Sequence, residues 1–197
     1  MNYELTDETV AGLGKTLYRI RALVDMPYHG VKVGDLGGFI EKVENLTGNA
    51  WVYGNAKVSD NAQVSGDAWV YGNAWVYGNA KVFGNAWVSG DAWVYGNAQV
   101  YGNAKVFGNA LVYGYAWVFG DARVYDNAVV TGDAWVSDNA MVSGNARVSG
   151  NEPEVKEDNP HIIPDQLLAD LKLAACQFEQ ARTALEEAAW AYAKQFV

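Results

Sequence analysis

The chain contains very little of the chemistry that most enzymes and metalloproteins use. Among its 197 residues there is one cysteine, Cys176, and there are two histidines, His29 and His161. A single thiol excludes an internal disulfide and a cysteine-rich metal site. Neither histidine lies in residues 40–150, which excludes a three-histidine metal site within that stretch. We therefore expect no metal, no cofactor and no enzymatic activity.

Basic residues and long apolar runs are scarce as well. Fourteen lysines and arginines stand against 23 acidic residues, for a net charge of -9. This balance argues against general binding to nucleic acids or to anionic membranes. There is no apolar stretch of membrane-spanning length and no apolar leader of the signal-peptide kind. We expect a soluble cytoplasmic protein.

The feature that the chain does have is a repeat. Valine occupies every sixth position from Val52 to Val148, and Ile40 and Leu46 hold the same phase. Strand alternation should point each valine inward and its two neighbours outward. The alanine two positions before each valine suits a corner, and the Gly-Asn or Gly-Asp pairs suit turns with positive φ. Three aspartates replace the glycine and should adopt the same conformation: Asp60, Asp126 and Asp138.

This pattern of a small residue two positions before an aliphatic residue, recurring every six, resembles the hexapeptide-repeat left-handed β-helix. In that family three hexapeptides close one triangular coil. The left hand is implied by the resemblance alone, because parallel crossovers otherwise favour the right hand. The segment that contains LYRIRAL and GDLGGFIE is also similar to that of an uncharacterised subfamily carried by bacteria and their prophages. The resemblance therefore implies a bacterial cell or an infected bacterial cell.

The predicted fold is an all-β solenoid, a single-stranded left-handed parallel β-helix of about six coils. We predict a cap at 1–38, the β-helix at 39–150, a linker at 151–164 and a long α-helix at 165–197. Within the cap, LTDETV predicts a short helix and TLYRIRALV a strand. The string AGLGKT lacks the leading glycine of a phosphate-binding loop, and we do not assign it that role. The C-terminal helix is expected to bundle with helices of other subunits or to bridge to a neighbour.

Coils of 18 residues would stack equivalent positions roughly 4.8 Å apart and create three outer faces. Each face is defined by the residue that precedes the valine. The first face carries Trp51, Trp69, Trp87, Lys105, Arg123 and Met141; the second carries Lys57, Trp75, Trp93, Leu111, Val129 and Arg147; the third carries Gln63, Lys81, Gln99, Trp117 and Trp135.

The second face is the predicted subunit interface. Its middle is uncharged and largely aromatic, and such a strip exceeds what a soluble monomer normally exposes. The resemblance implies a parallel homotrimer, in which cyclic symmetry lets one face and one edge of each subunit meet. The other aromatic side chains would stack as ladders on the surface. The candidate interface residues are Trp75, Tyr77, Trp93, Tyr95, Leu111 and Tyr113.

Deviations from the repeat point to a candidate ligand site. Two cations interrupt the tryptophan column of the first face with aromatic neighbours alongside, and one tyrosine replaces a corner asparagine. Aromatic planes beside cations suit a nucleotide or another planar anion. The alternative is that these cations only keep the face soluble. The candidate residues are Lys105, Arg123, Phe107, Tyr125, Tyr115 and Trp117, and a weaker basic cluster is formed by Lys15, Arg19 and Arg21.

Three classes of function remain open. The first is a non-catalytic trimeric binding protein, phage-encoded, which sequesters a nucleotide-like molecule or an immune signal at clefts between subunits. The second is a self-associating scaffold or a blocker of a host protein. The third and least favoured is an enzyme like the hexapeptide acyltransferases with His29 as the base. We expect His29 to be a turn or cap residue instead.

Overall fold

Each hexapeptide folds into one very short strand followed by a turn. The computed structural model describes residues 1–150, which form an all-β solenoid of about six turns. The linker and the helix predicted at 151–164 and 165–197 lie outside the described residues. Among residues 1–150 the only helices are two 3-10 turns, at Pro27–His29 and Val43–Asn45.

Three longer strands precede the repeats: β1 (Tyr3–Gly12), β2 (Lys15–Ala22) and β3 (Leu36–Ile40). The repeat strands follow in chain order: β4 (Trp51–Val52), β5 (Lys57–Val58), β6 (Gln63–Val64), β7 (Trp69–Val70), β8 (Trp75–Val76), β9 (Lys81–Val82), β10 (Trp87–Val88), β11 (Trp93–Val94), β12 (Gln99–Val100), β13 (Lys105–Val106), β14 (Leu111–Val112), β15 (Trp117–Val118), β16 (Arg123–Val124), β17 (Val129–Thr131), β18 (Trp135–Val136), β19 (Met141–Val142) and β20 (Arg147–Ser149).

The repeat strands pair in parallel with the strand three places further along the chain, which confirms the 18-residue coil. The first face is a six-stranded sheet that runs from β4 to β19, and the third is a five-stranded sheet from β6 to β18. The second face is a nine-stranded sheet, because β1, β2 and β3 extend it before β5. Register is exact along each face: Trp87 pairs with Lys105 and Lys105 with Arg123.

Valine forms the interior, as the repeat predicts, and the corner alanines are buried with it. The repeat valines from Val52 to Val130 and the repeat alanines from Ala56 to Ala128 have no solvent exposure. Burying one valine side chain contributes about 1.5–3 kcal/mol, so stacked columns of them form a continuous core. Backbone bonds connect the coils, for example from the Tyr71 N–H to the Val88 carbonyl at 3.0 Å.

The corners adopt the left-handed conformation that the sequence predicts. The glycine that opens each turn has positive φ, and Asp60, Asp126 and Asp138, which replace it in three turns, have φ of 59°, 60° and 56°. Asparagine side chains then form ladders along the corners. Asn61 donates to Asn79 and Asn79 to Asn97, each at 3.2 Å.

The cap differs from the prediction at LTDETV, which forms strand and not helix. This segment belongs to β1, which pairs antiparallel with β2 through Thr9 opposite Tyr18 and Val10 opposite Leu17. Strand pairing is favoured over the predicted helix because Leu17 and Ile20 of β2 are fully buried, and β1 satisfies the backbone hydrogen-bonding groups of β2. The string AGLGKT contains the two-residue hairpin turn between these strands, Leu13 and Gly14, with φ of 50° and 76°.

Candidate functional site

The first face brings a lysine onto a tryptophan stack. Trp69 and Trp87 stack with ring centroids 5.6 Å apart, and Lys105 follows Trp87 in the column. The Lys105 Nζ lies 4.6 Å from the centroid of the Trp87 ring, a cation–π contact. Parallel register causes this contact, because it places the lysine one coil after the tryptophan. The ammonium group keeps its charge free for a further partner on the solvent side.

Arg123 occupies the next coil of the same column and is exposed. Within residues 1–150, neither Lys105 nor Arg123 belongs to an ion pair. Two adjacent coils of the first face therefore present two positive charges without a compensating carboxylate. The two predicted cations are neighbours on this face, as their 18-residue spacing predicts.

Phe107 and Tyr125 form an isolated pair beside these cations. Their rings are parallel, with centroids 4.9 Å apart and an angle of 2° between planes. Such close stacking leaves no space for a ligand between the two rings. Ser89 and Ser143 occupy the same position in the coils before and after, so no third ring extends the stack on either side. A planar ligand could reach only the outer ring faces.

The other two candidate ligand residues lie elsewhere in the subunit. Trp117 belongs to the third face, where it stacks on Trp135 at 5.3 Å. Tyr115 occupies the corner between the second and third faces and is 62 % exposed. Each hexapeptide turns the chain to a new face, and the chain returns to the same face only after 18 residues. Tyr115 and Trp117, about ten residues after Lys105 and Phe107, therefore lie on other parts of the surface. One subunit therefore does not bring all six candidate residues together.

Tyr115 also ends an asparagine ladder. The ladder of Asn61, Asn79 and Asn97 would continue at position 115, where the tyrosine offers no amide. The backbone of the corner is unchanged, since the Tyr115 N–H still donates to the Gly132 carbonyl at 2.8 Å. The substitution thus redirects a side chain outward without disturbing the coil.

The predicted interface residues form two parallel stacks on the second face. Trp75 stacks on Trp93 at 5.8 Å, and Tyr95 lies between Tyr77 and Tyr113 at 4.9 and 4.8 Å. Burial, with a smaller contribution from the neighbouring tyrosine, raises the pKa of the Tyr95 phenol.

The hairpin already covers one end of this face. A Cβ added at Gly12 would lie 2.8 Å from the Trp75 ring, so the two are in close contact. Trp93, one coil further, is 36 % exposed. The open part of the face therefore begins at Trp93.

The weaker basic cluster in the cap is neutralised. Its three cations are paired as follows: Lys15 with Glu41 at 3.0 Å and Asp60 at 2.6 Å, Arg19 with Glu8 at 2.8 Å, and Arg21 with Glu4. Hydrogen bonds to Asp60 and Glu41 raise the pKa of Lys15, and the bond from Lys15 lowers that of Asp60. The Lys15 pairs join the hairpin to the start of the solenoid, whereas the two arginine pairs link the strands of the hairpin itself, so the cluster does not offer an anion site. Sequence reasoning missed this role because the acids come from three separate segments.

His29 lies in the cap, at the end of a 3-10 turn, and is buried. Its ring packs against Trp69 with centroids 4.9 Å apart. Residues 1–150 contain no group of three or more histidine, cysteine or acidic side chains placed to hold a metal ion.

The repeats match a known family model. It is described as the YdcK beta solenoid repeat, and it matches residues 62–78, 98–114, 122–138 and 134–150. The chain is a β-solenoid repeat protein. No curated protein has a sequence that matches this β-solenoid. In the part of it that the structure describes, no helix is long and apolar enough to cross a membrane.

Proposed function

We propose that this β-solenoid is a non-catalytic, trimeric binding protein that holds a nucleotide-like anion at clefts between subunits. The observation that carries the proposal is the adjacency of Lys105 and Arg123 on the first face, with no acidic partner in residues 1–150. The prophage-like resemblance favours a phage-encoded protein that sequesters a small signal in the bacterial cytoplasm.

An anionic ligand is supported by the adjacency of two cations without ion pairs on one face, in contrast to the paired cations of the cap. Lys15, Arg19 and Arg21 all form ion pairs that fix the cap. Lys105 and Arg123 have no such structural use, although the chain has an overall negative charge and acids are plentiful. A phosphate group could accept charge-assisted hydrogen bonds from both, and the outer face of the Phe107–Tyr125 pair could stack a base.

The trimer is supported by the stacked aromatic residues of the second face. Trp93, Tyr95 and Tyr113 expose apolar surface in a regular, flat array that a second subunit could cover. Tyr115 and Trp117 follow Tyr113 at the next corner and face. In a left-handed parallel trimer they would lie at the rim of the interface, where a neighbour's first face could approach. This would reunite the six candidate residues across subunits.

Absence of catalysis is supported by the side chains on the coils. They are mainly valine, alanine, glycine, asparagine and aromatic residues, with some serine, aspartate, glutamine and a few cations, and they include no histidine that could act as a general base. His29 packs against Trp69 in the cap, which does not favour the acyltransferase-like alternative.

A self-associating scaffold is the second candidate. One observation favours it: among residues 1–150, β18, β19 and β20 each end their sheet without a further strand. The interior also opens there, since Ala146 is exposed and Val148 only partly buried. Unpaired strand edges are sites at which chains can stack end to end.

Calorimetric titration with a panel of ribonucleotides and cyclic nucleotides tests the binding proposal. We expect at least one to bind the wild type, and we expect the Lys105→Ala, Arg123→Ala double variant to bind at least about 100-fold more weakly, because charged hydrogen bonds contribute about 1.5–3 kcal/mol each. Lys81→Ala on the third face is the matched control and should bind normally. No binding to any nucleotide, or equal binding by the double variant, would contradict the proposal.

A further inference from the structure

A loop of the cap lies over the beginning of the first face. Met26 and Val31 close it with reciprocal backbone bonds of 2.8 and 3.2 Å. Both side chains are buried in the same hydrophobic cluster as Trp51, which is only 3 % exposed although its position on the coil points outward. The first tryptophan of the column is therefore buried at the end of the face that the loop contacts through His29 and Trp69.

His29 is the contact between this loop and the next coil. It is 7 % exposed, and its ring lies 4.9 Å from Trp69 and 5.4 Å, edge-on, from Tyr28. Neither imidazole nitrogen has a hydrogen-bond partner of good geometry. A neutral ring can pack this way at modest cost, whereas a buried imidazolium with unpartnered N–H groups is strongly disfavoured.

The titratable groups around His29 do not compensate for burial. The Asp67 carboxylate and the Asn49 backbone carbonyl favour the charged ring, and Tyr28 adds only its ring edge. Desolvation is the larger effect, and it lowers the pKa of His29 below its ordinary value of 6.5. The closed loop therefore binds a proton less readily than the open loop does.

The other apolar side chains in and beside the loop are exposed. Val24, Tyr28 and Val33 are 41 %, 66 % and 61 % exposed, so much of its apolar surface faces solvent. Only Met26, His29 and Val31 are turned inward and buried. Loss of one of three inner contacts is therefore a large change for this segment, which can open locally without unfolding the solenoid.

We infer that the loop of residues 26–31 is a pH-sensitive latch, which protonation of His29 releases from Trp51 and Trp69. The closed form is favoured above about pH 6.5 and loses stability as the pH falls below that value, because the open loop then binds more protons. Release would extend the exposed aromatic column of the first face by one coil. Acidification would thus change the surface that this face offers to a partner.

Hydrogen exchange measured by mass spectrometry at about pH 7.5 and pH 5.0, corrected for the intrinsic pH dependence, tests the latch. Peptides that cover residues 24–35 of the wild type should exchange several-fold faster at the lower pH. His29→Phe should remove this acceleration, since the ring stays apolar at both values. His161→Gln, which alters the other histidine, should behave as the wild type does.

Peptides from the central coils report folding and should exchange slowly in every variant. His29→Leu is a second apolar replacement, for use if the phenylalanine variant loses that protection. Equal corrected exchange at the two pH values in the wild type would overturn the inference. So would equal acceleration in the wild type and in the folded apolar variant.

Discussion

At the scale of single residues, the corners impose the tightest constraint on the sequence. Gly102 has a φ of 71°, and a Cβ there would lie 3.0 Å from the Gly120 nitrogen of the next coil. Gly144 has a similar φ of 63°, but nothing lies within 4 Å of its missing Cβ. The two glycines therefore separate the cost of backbone conformation from the cost of crowding between coils.

We predict that Gly102→Ala destabilises the protein more than Gly144→Ala. Both variants incur the conformational cost of about 1–2 kcal/mol, and Gly102→Ala adds a steric cost of about 1–3 kcal/mol. Urea unfolding followed by tryptophan fluorescence measures the difference. Equal unfolding midpoints would show that the coils can separate enough to admit a methyl group.

At the scale of elements, one salt-bridge cluster fastens the hairpin to the solenoid. Asp60 accepts from Lys15 of β2 and from the Gly78 N–H at 3.1 Å. Asp126 occupies an equivalent corner and accepts from the Gly144 N–H at the same distance, but within residues 1–150 it forms no ion pair. The difference between these two aspartates isolates the contribution of the lysine.

We predict that Asp60→Asn is less stable than the wild type at neutral pH by a few tenths to about 1 kcal/mol, as for partly exposed pairs. Lys15 lowers the pKa of Asp60 from its ordinary 3.8, so the ionised form stabilises the fold above that value. This stability is lost as the pH falls through the lowered pKa.

Unfolding experiments at about pH 7 and pH 2.5 measure this effect. The difference between Asp60→Asn and the wild type should be smaller at the acidic value. Asp126→Asn is the control and should differ little from the wild type at either pH. A pH-independent loss in Asp60→Asn would mean that Lys15 does not stabilise the ionised aspartate.

The repeats were predictable because their determinants are local. Inward valine, corner alanine and residues that tolerate positive φ recur within six positions. A coil of 18 residues then places Lys105 beside Arg123, since the two are 18 residues apart. The cap was predicted less well. LTDETV carries a local helix signal, yet pairing with β2 over Leu17 and Ile20 decides its structure. The ion pairs of the cap cations could not be predicted from local sequence either, because tertiary folding brings their acidic partners to them.

At the scale of the whole molecule, the two ends of the solenoid differ. The N-terminal end is closed by an antiparallel hairpin whose edge strand carries Glu4, Asp7 and Glu8. Charged side chains on an edge strand discourage pairing with another chain. Such protection does not follow β18, β19 and β20 within residues 1–150.

Native mass spectrometry of the whole chain, purified without added ligand, tests the central claim of a trimeric binding protein most directly. We predict a species of three 21.4 kDa chains that carries additional small-molecule mass. Trp93→Lys, on the second face, should yield single chains, whereas Trp135→Lys, on the third, should remain trimeric. A wild-type protein that is a single chain with nothing bound would contradict the claim.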